Sequence, residues 1–211
     1  MYQHTKQYVT AGAPLANAKG ALVMIHGRGG TAANIAALAA ELNAADLAVY
    51  APQATNLSWY PYSFMAPESQ NQPALDSAIA IIGELVAQIE TDGISPENIY
   101  FLGFSQGACM ALEYVGRNAK RYGGVVAFTG GLIGEELDNA RYSGDFNNTP
   151  VLITIGDPDP HVPLSRVEES VVILNKLNAD VTLKVYKGKP HTISQQEIDQ
   201  ANNIIFSAET I

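Results

Sequence analysis

Cysteine is almost missing from this chain: Cys109 is the only one among 211 residues. A single thiol cannot close an internal disulfide, which excludes a disulfide-stapled scaffold and suits a reducing compartment. Positive charge is scarce too. Twelve Lys and Arg stand against 21 Asp and Glu, giving a formal net charge of −9, and the basic residues are scattered. Phosphate backbones are bound by clustered cations, so nucleic acid is not expected as a partner, and the acidity reads as a solubility device. No apolar run approaches the roughly 20 residues that span a bilayer. The opening, Met1-Tyr2-Gln3-His4-Thr5-Lys6-Gln7, lacks the basic start and apolar stretch of an export signal. A soluble, cytoplasmic protein is the expectation. Internal repeats, low-complexity tracts and linkers are missing as well.

What is present suits one domain. Apolar residues make up 47% and charged residues 16% of the chain. At this length folding buries roughly 70% of the unfolded surface, enough for a sizeable core. Apolar runs of strand length alternate with segments of helical spacing. The strand candidates are 21–25, 47–50, 99–102, 125–128, 151–155 and 181–186; the last alternates in polarity and is expected near a sheet edge. Between them, Thr31 can cap a helix carrying Ile35, Leu38 and Leu42, and Leu75 to Ile89 forms one long stripe. Ser165 with Glu168, and Ser194 with Glu197, have the spacing of capping boxes. The alternation predicts an α/β fold with a mostly parallel central sheet covered by helices on both faces. Residues 53–73 break the rhythm. A loop that long is uncommon in a compact domain. It holds Trp59, Tyr60, Tyr62 and Phe64, so an ordered loop lining a pocket is expected.

The five residues Gly103-Phe104-Ser105-Gln106-Gly107 follow a strand and open a helix. That is the context in which G-x-S-x-G lifts a serine hydroxyl above the sheet on a strained turn. A serine needs a base to take its proton. His191, in Gly188-Lys189-Pro190-His191 just past the last strand candidate, is the choice, with His161 and then His26 as competitors. The base in turn needs an acid. The loop after Ile155 supplies Asp157 and Asp159; the order Ser105, Asp159, His191 matches that of α/β-hydrolases, although Asp157 fits on spacing alone. For an oxyanion, the backbone N–H of Gln106 is one donor. The second is assigned to Arg28 in the glycine-rich His26-Gly27-Arg28-Gly29-Gly30 turn.

Together these residues carry a resemblance. His26-Gly27-Arg28-Gly29, Gly103-x-Ser105-x-Gly107, Gly156-x-x-Asp159-x-x-Val162-Pro163 and Gly188-x-x-His191 resemble the motifs of the phospholipase/carboxylesterase family, which includes acyl-protein thioesterases and bacterial carboxylesterases. The resemblance implies an α/β-hydrolase with about seven or eight strands and no separate cap domain. It implies Ser105 as nucleophile, Asp159 as acid, His191 as base, Arg28 and Gln106 as oxyanion donors, and Trp59 near the acyl group. Tyr62 and Leu132 are added as substrate-binding residues. Neither metal nor cofactor is expected. The eukaryotic thioesterases carry Leu-Gly-Asp after His-Gly, where this chain has Arg28-Gly29-Gly30; the departure favours a small ester over a protein-bound lipid.

The expected activity is cleavage of esters or thioesters of small or medium acyl groups through an acyl-enzyme. Two other readings stand beside it. One is a dienelactone-type lactone hydrolase of aromatic degradation products, suggested by the aromatic loop and an Arg28 side chain able to pair with a carboxylate, although a solvated surface arginine is the preferred reading of Arg28. That family uses cysteine where this chain has Ser105, and Cys109 reads as a small buried residue. The other is a ligand-binding protein without catalysis, since fold alone does not fix function. A homodimer is left open.

Overall fold

The computed structural model describes residues 2–207. Seven strands form one sheet: β1 (Tyr8–Gly12), β2 (Gly20–Ile25), β3 (Leu47–Pro52), β4 (Ile99–Phe104), β5 (Gly124–Phe128), β6 (Pro150–Asp157) and β7 (Asp180–Lys187). Their order across the sheet is β1-β3-β2-β4-β5-β6-β7. Only β1 runs antiparallel, against β3; every other pairing is parallel. This places β7 at an edge, where its polar alternation belongs.

Side chains of the central strands alternate between two cores, because successive Cβ atoms leave opposite faces of a sheet. Ala21, Val23 and Ile25 enter one core and Leu22 and Met24 the other. Both faces are buried, so the strands read as unbroken apolar runs. The first core is covered by α3 (Ala74–Thr91), α4 (Gln106–Arg117) and α5 (Leu164–Lys176). The second is covered by the short α1 (Ala32–Ala37) and by α6 (Gln195–Ile204). The remaining helix, α2 (Glu68–Asn71), is a single turn inside the long loop.

Two of the three expected caps form. Thr31 accepts the Asn34 N–H, and Ser194 with Glu197 makes a complete capping box. The box expected at Ser165 and Glu168 does not exist. Extended Pro163 starts α5 at Leu164, so Ser165 already lies inside the helix, where it cannot cap. β1 escaped the sequence reading because all five of its residues are exposed, leaving no buried face to impose a period.

The fully buried Glu113 of α4 accepts from Arg117 Nε at 2.7 Å, Ile133 N at 2.8 Å and Tyr142 Oη at 3.0 Å. Arg117 and Arg141 both reach on to Glu68 of α2, tying the long loop to α4. Helix and sheet meet most closely at Gly107, where an added Cβ would lie 2.0 Å from the Ile25 carbonyl oxygen. Backbone cannot move aside as a side chain can. Gly107→Ala is therefore expected to lower stability by about 3 kcal/mol, the upper end for an overpacked site, measured by urea unfolding.

Candidate active site

Ser105 sits between the end of β4 and the start of α4 with φ 53° and ψ −119°. A side-chain-bearing residue adopts such a conformation only when its surroundings enforce it. Two features do so here. The Ser105 N–H is held by the Phe128 carbonyl at 2.9 Å. Glycines at 103 and 107 let strand and helix meet: a Cβ on Gly103 would lie 2.2 Å from the Gly107 oxygen.

Strand ends bring the partners to this point. Ser105 Oγ donates to His191 Nε2 at 2.9 Å, and His191 Nδ1–H donates to Asp159 Oδ2 at 2.8 Å. The other Asp159 oxygen accepts the N–H groups of His161 and Val162, both at 2.9 Å. The Asp159 side chain is fully buried and that of His191 is 18% exposed. Burial opposes ionisation of Asp159, but the His191 hydrogen bond and the two amides outweigh it and hold the carboxyl below its ordinary value. The rings of Phe104 and His161 pack against His191 at 5.3 and 4.8 Å between centroids. His161 thus touches the base, while the Ser105 hydroxyl is hydrogen-bonded to His191. Asp157, the alternative acid, ends β6 and pairs with Lys187 of β7.

The two residues whose amides are assigned to an oxyanion line the same cavity as Ser105. Gln106 is the first residue of α4, whose leading N–H groups have no intrahelical acceptor. Gly27 to Gly30 form a turn closed by Gly30 N–H to Gly27 O at 3.0 Å, with Gly29 at φ +75°. Gly29 N–H is taken by Leu57 O at 2.7 Å. Arg28 stands at the second position of the turn, whose N–H takes no part in closing it.

The Arg28 side chain is exposed, as a surface arginine would be, yet it is held by the loop rather than extended freely into solvent. It donates to Ser58 Oγ and Pro61 O, each at 2.9 Å, and to Tyr62 O at 2.7 Å. It staples the aromatic loop over the site. Behind the loop lie contacts that sequence reasoning missed. His26 Nδ1–H donates to Gly27 O while its Nε2 accepts the Ala54 N–H at 3.1 Å. His4 Nε2–H donates to Trp59 O while its Nδ1 accepts the Thr55 N–H at 3.0 Å. Burial lowers the proton affinity of both rings, which suits imidazoles that must accept hydrogen bonds. No local pattern announces the long-range partners, since Ala54 lies 28 residues from His26 and Thr55 lies 51 from His4.

A cavity of about 530 Å³ opens over Ser105. Its walls include Tyr60, Tyr62, Phe64, Phe104, Cys109 and Val162. Burial pushes the Cys109 thiol up to about 11, so it carries no thiolate at neutral pH. Tyr62 stands at the mouth, 57% exposed. Trp59 and Leu132 are not where the sequence placed them. Trp59 is wholly buried beneath the loop, giving its Nε1–H to His26 O at 2.8 Å and its backbone N–H to Gln106 Oε1 at 2.9 Å. Leu132 is also wholly buried, packed in the core against α4 rather than in the cavity wall. An unpatterned aromatic loop gives no sign of which rings face inward; only packing decides it.

Strand order, a strained serine after β4 and its contact with a histidine and a carboxylate define an α/β-hydrolase. Residues 7–207 match the phospholipase/carboxylesterase family, and the chain belongs to that family. It is similar to a phospholipase/carboxylesterase structure from Dyadobacter fermentans, with 62% identity, 98% of this chain and 99% of the other covered, and a TM-score of 0.97. It is also similar to esterase PE8, at 28% identity, 96% and 98% coverage and a TM-score of 0.79. Acyl-protein thioesterase 1 of Kluyveromyces lactis is 30% identical over 147 residues, covering 67% of this chain and 64% of that protein. The chain spans about half to two thirds of the length of the curated relatives it matches.

Two outcomes follow from the site. Trp59→Ala should cost about 3–5 kcal/mol, as for other buried Trp truncations, while relative rates across nitrophenyl esters of graded chain length stay unchanged. Altered chain-length preference without a lower melting temperature would return Trp59 to the cavity wall. Because the folded Asp159 is more acidic than its ordinary value of 3.8, its stabilising contribution is complete above that pH. It is lost as pH falls below 3.8 through the depressed folded value. Asp159→Asn should therefore flatten the acid end of the melting temperature–pH curve relative to the parent.

Proposed function

We propose that this chain is a serine hydrolase that cleaves carboxylic esters or thioesters of small or medium acyl groups. The observation that carries the reading is the unbroken line from the strained Ser105 through His191 to the buried Asp159, at the floor of an apolar, aromatic cavity. In this reading Ser105 Oγ attacks the substrate carbonyl as His191 Nε2 takes its proton. Negative charge collects on the former carbonyl oxygen, where the N–H groups of Arg28 and Gln106 receive it. His191 then gives the proton to the departing alcohol or thiol, leaving the acyl group on Ser105. Water attacks next, losing a proton to the same nitrogen, and the acid leaves as Ser105 recovers its hydrogen. Asp159 accepts from Nδ1–H throughout, fixing the tautomer and offsetting the positive charge on the ring.

The lactone reading is weakened. It called on an Arg28 guanidinium free to bind a carboxylate, and three of that group's N–H donors are held by acceptors in the loop. Aromatic and apolar side chains make up much of the cavity wall, alongside Arg28, Gln106 and His161, which supports a neutral acyl group as the part held there. The family relatives named as carboxylesterases and thioesterases support the same chemistry.

Ser105→Ala is expected to lower kcat on nitrophenyl esters by roughly a million-fold with the fold intact, and to abolish labelling by a fluorophosphonate probe. His191→Ala should be nearly as damaging, because members of such a set act as a unit, whereas His161→Ala should change activity far less. Parent-like turnover by the Ser105 variant would refute the proposal.

A further inference from the structure

The loop that carries His191 is held by a buried ion pair that the reaction does not use. Lys189 lies two residues before His191. Its side chain is 7% exposed, that of Glu197 on the first turn of α6 is fully buried, and the two charges lie 3.2 Å apart. The Lys189 ammonium also donates to the carbonyl oxygens of Thr192 at 2.6 Å and Pro190 at 3.3 Å. Those carbonyls belong to the two residues that flank His191. The Pro190 oxygen also accepts the Thr192 N–H at 2.8 Å, closing a three-residue turn with His191 at its centre.

Glu197 is anchored independently. Thr154 Oγ1 of β6 donates to one of its oxygens at 2.5 Å, and Ser194 donates N–H and O–H to the other at 2.8 and 2.9 Å. The Lys189 backbone also packs closely on β6: a Cβ on Gly156 would lie 2.4 Å from the Lys189 oxygen. A rigid line thus runs from β6 through Glu197 and Lys189 to both sides of the imidazole. Stability does not account for it. Taking an ammonium and a carboxylate out of water costs about as much as their attraction returns, and an apolar pair of similar volume is commonly no less stable. Nor does α6 need Lys189, since the capping box with Ser194 is complete without it.

We propose that Lys189, neutralised by Glu197, is a positioning residue for the base: its ammonium holds the Pro190–Thr192 turn so that the His191 ring spans Asp159 and Ser105. This rests on the reading of His191 as base. Orientation is where such a restraint acts, because misplacing a reacting group by about 1 Å can cost around a hundred-fold in rate. The group would act through His191 and touch no substrate, so it should govern turnover and leave substrate binding alone.

The test uses the full chain, with Lys189→Met and the double variant Lys189→Met/Glu197→Gln compared for kcat, KM and melting temperature. The single variant leaves Glu197 buried without its cation and should lose both stability and turnover. The double variant removes the orphan charge and should regain melting temperature. A positioning role requires its kcat to stay about ten- to a hundred-fold low with KM within about two-fold of the parent. Recovery of kcat together with melting temperature would overturn the inference. Should the double variant not fold, Lys189→Arg takes its place, retaining the charge beside Glu197 while its planar fork displaces the two carbonyls. Lower kcat at unchanged melting temperature then supports the role, and parent-like kcat refutes it. The low-field proton resonance of His191 Nδ1–H, identified by its loss in His191→Ala, reads the ring without any substrate. It should broaden or vanish in the double variant, and an unchanged signal would count against the inference. A parent that hydrolyses no ester would defeat the functional reading, while this resonance would still decide the role of Lys189.

Discussion

Helix α4 can approach the sheet so closely only because positions 103 and 107 carry no side chain. Any Cβ there would run into backbone at 2.0–2.2 Å, either the helix's own Gly107 oxygen or the Ile25 oxygen of β2. That approach compresses the turn between β4 and α4 into a single residue, and the residue is Ser105. Its strained conformation is not a local preference; the packing on both sides imposes it. Everything else in the site is measured from this point. Gln106 begins the helix and lines the cavity, and the turn after β2 reaches the same cavity because β2 runs next to β4.

The second constraint is the bracing of the long loop. A stretch of some twenty residues would ordinarily be mobile, yet this one is tied from three directions. Gln106 holds Trp59 and Tyr60 by their backbones, Arg28 gathers Ser58, Pro61 and Tyr62, and the two buried histidines accept the N–H groups of Ala54 and Thr55. Both residues whose amides are assigned to the oxyanion thus use their side chains to fix the aromatic wall. The coupling explains why Trp59 matters without touching the cavity. Its ring fills the space under the loop, and its N–H holds the carbonyl of His26 just before the turn.

Buried charge is handled consistently in this acidic chain. Glu113 and Glu197 are both fully buried, and each carboxylate has cationic and neutral donors around it. Such groups would be costly if any partner were missing. One ties α4 to the loop that walls the cavity; the other ties α6 and β6 to the loop that bears His191. The two networks lie on opposite faces of the sheet, with α4 packed on the first core and α6 on the second.

The amino-acid sequence by itself determined the layered architecture and the position of the serine turn, because both depend on short-range pattern. Short unbroken apolar runs alternating with helical stripes read as strands covered on both faces, and glycines two residues either side of a serine, between a strand and a helix, read as a close strand–helix turn. The family followed from motifs of the same local kind. Where pattern was silent, reading failed: β1 has no buried face, Ser165 has capping spacing but Pro163 before it, and the aromatic loop has no period to separate inward from outward rings. Only the tertiary structure decided which of two aspartates and which of three histidines meet, since Ser105 and His191 are 86 residues apart and their contact exists only where strand ends converge. It alone decided that Trp59 and Leu132 are core, that Arg28 is a staple, and that His4, His26 and Lys189 are braces. Such roles depend on which distant backbone groups need a partner, and a chain shows that only once it has folded.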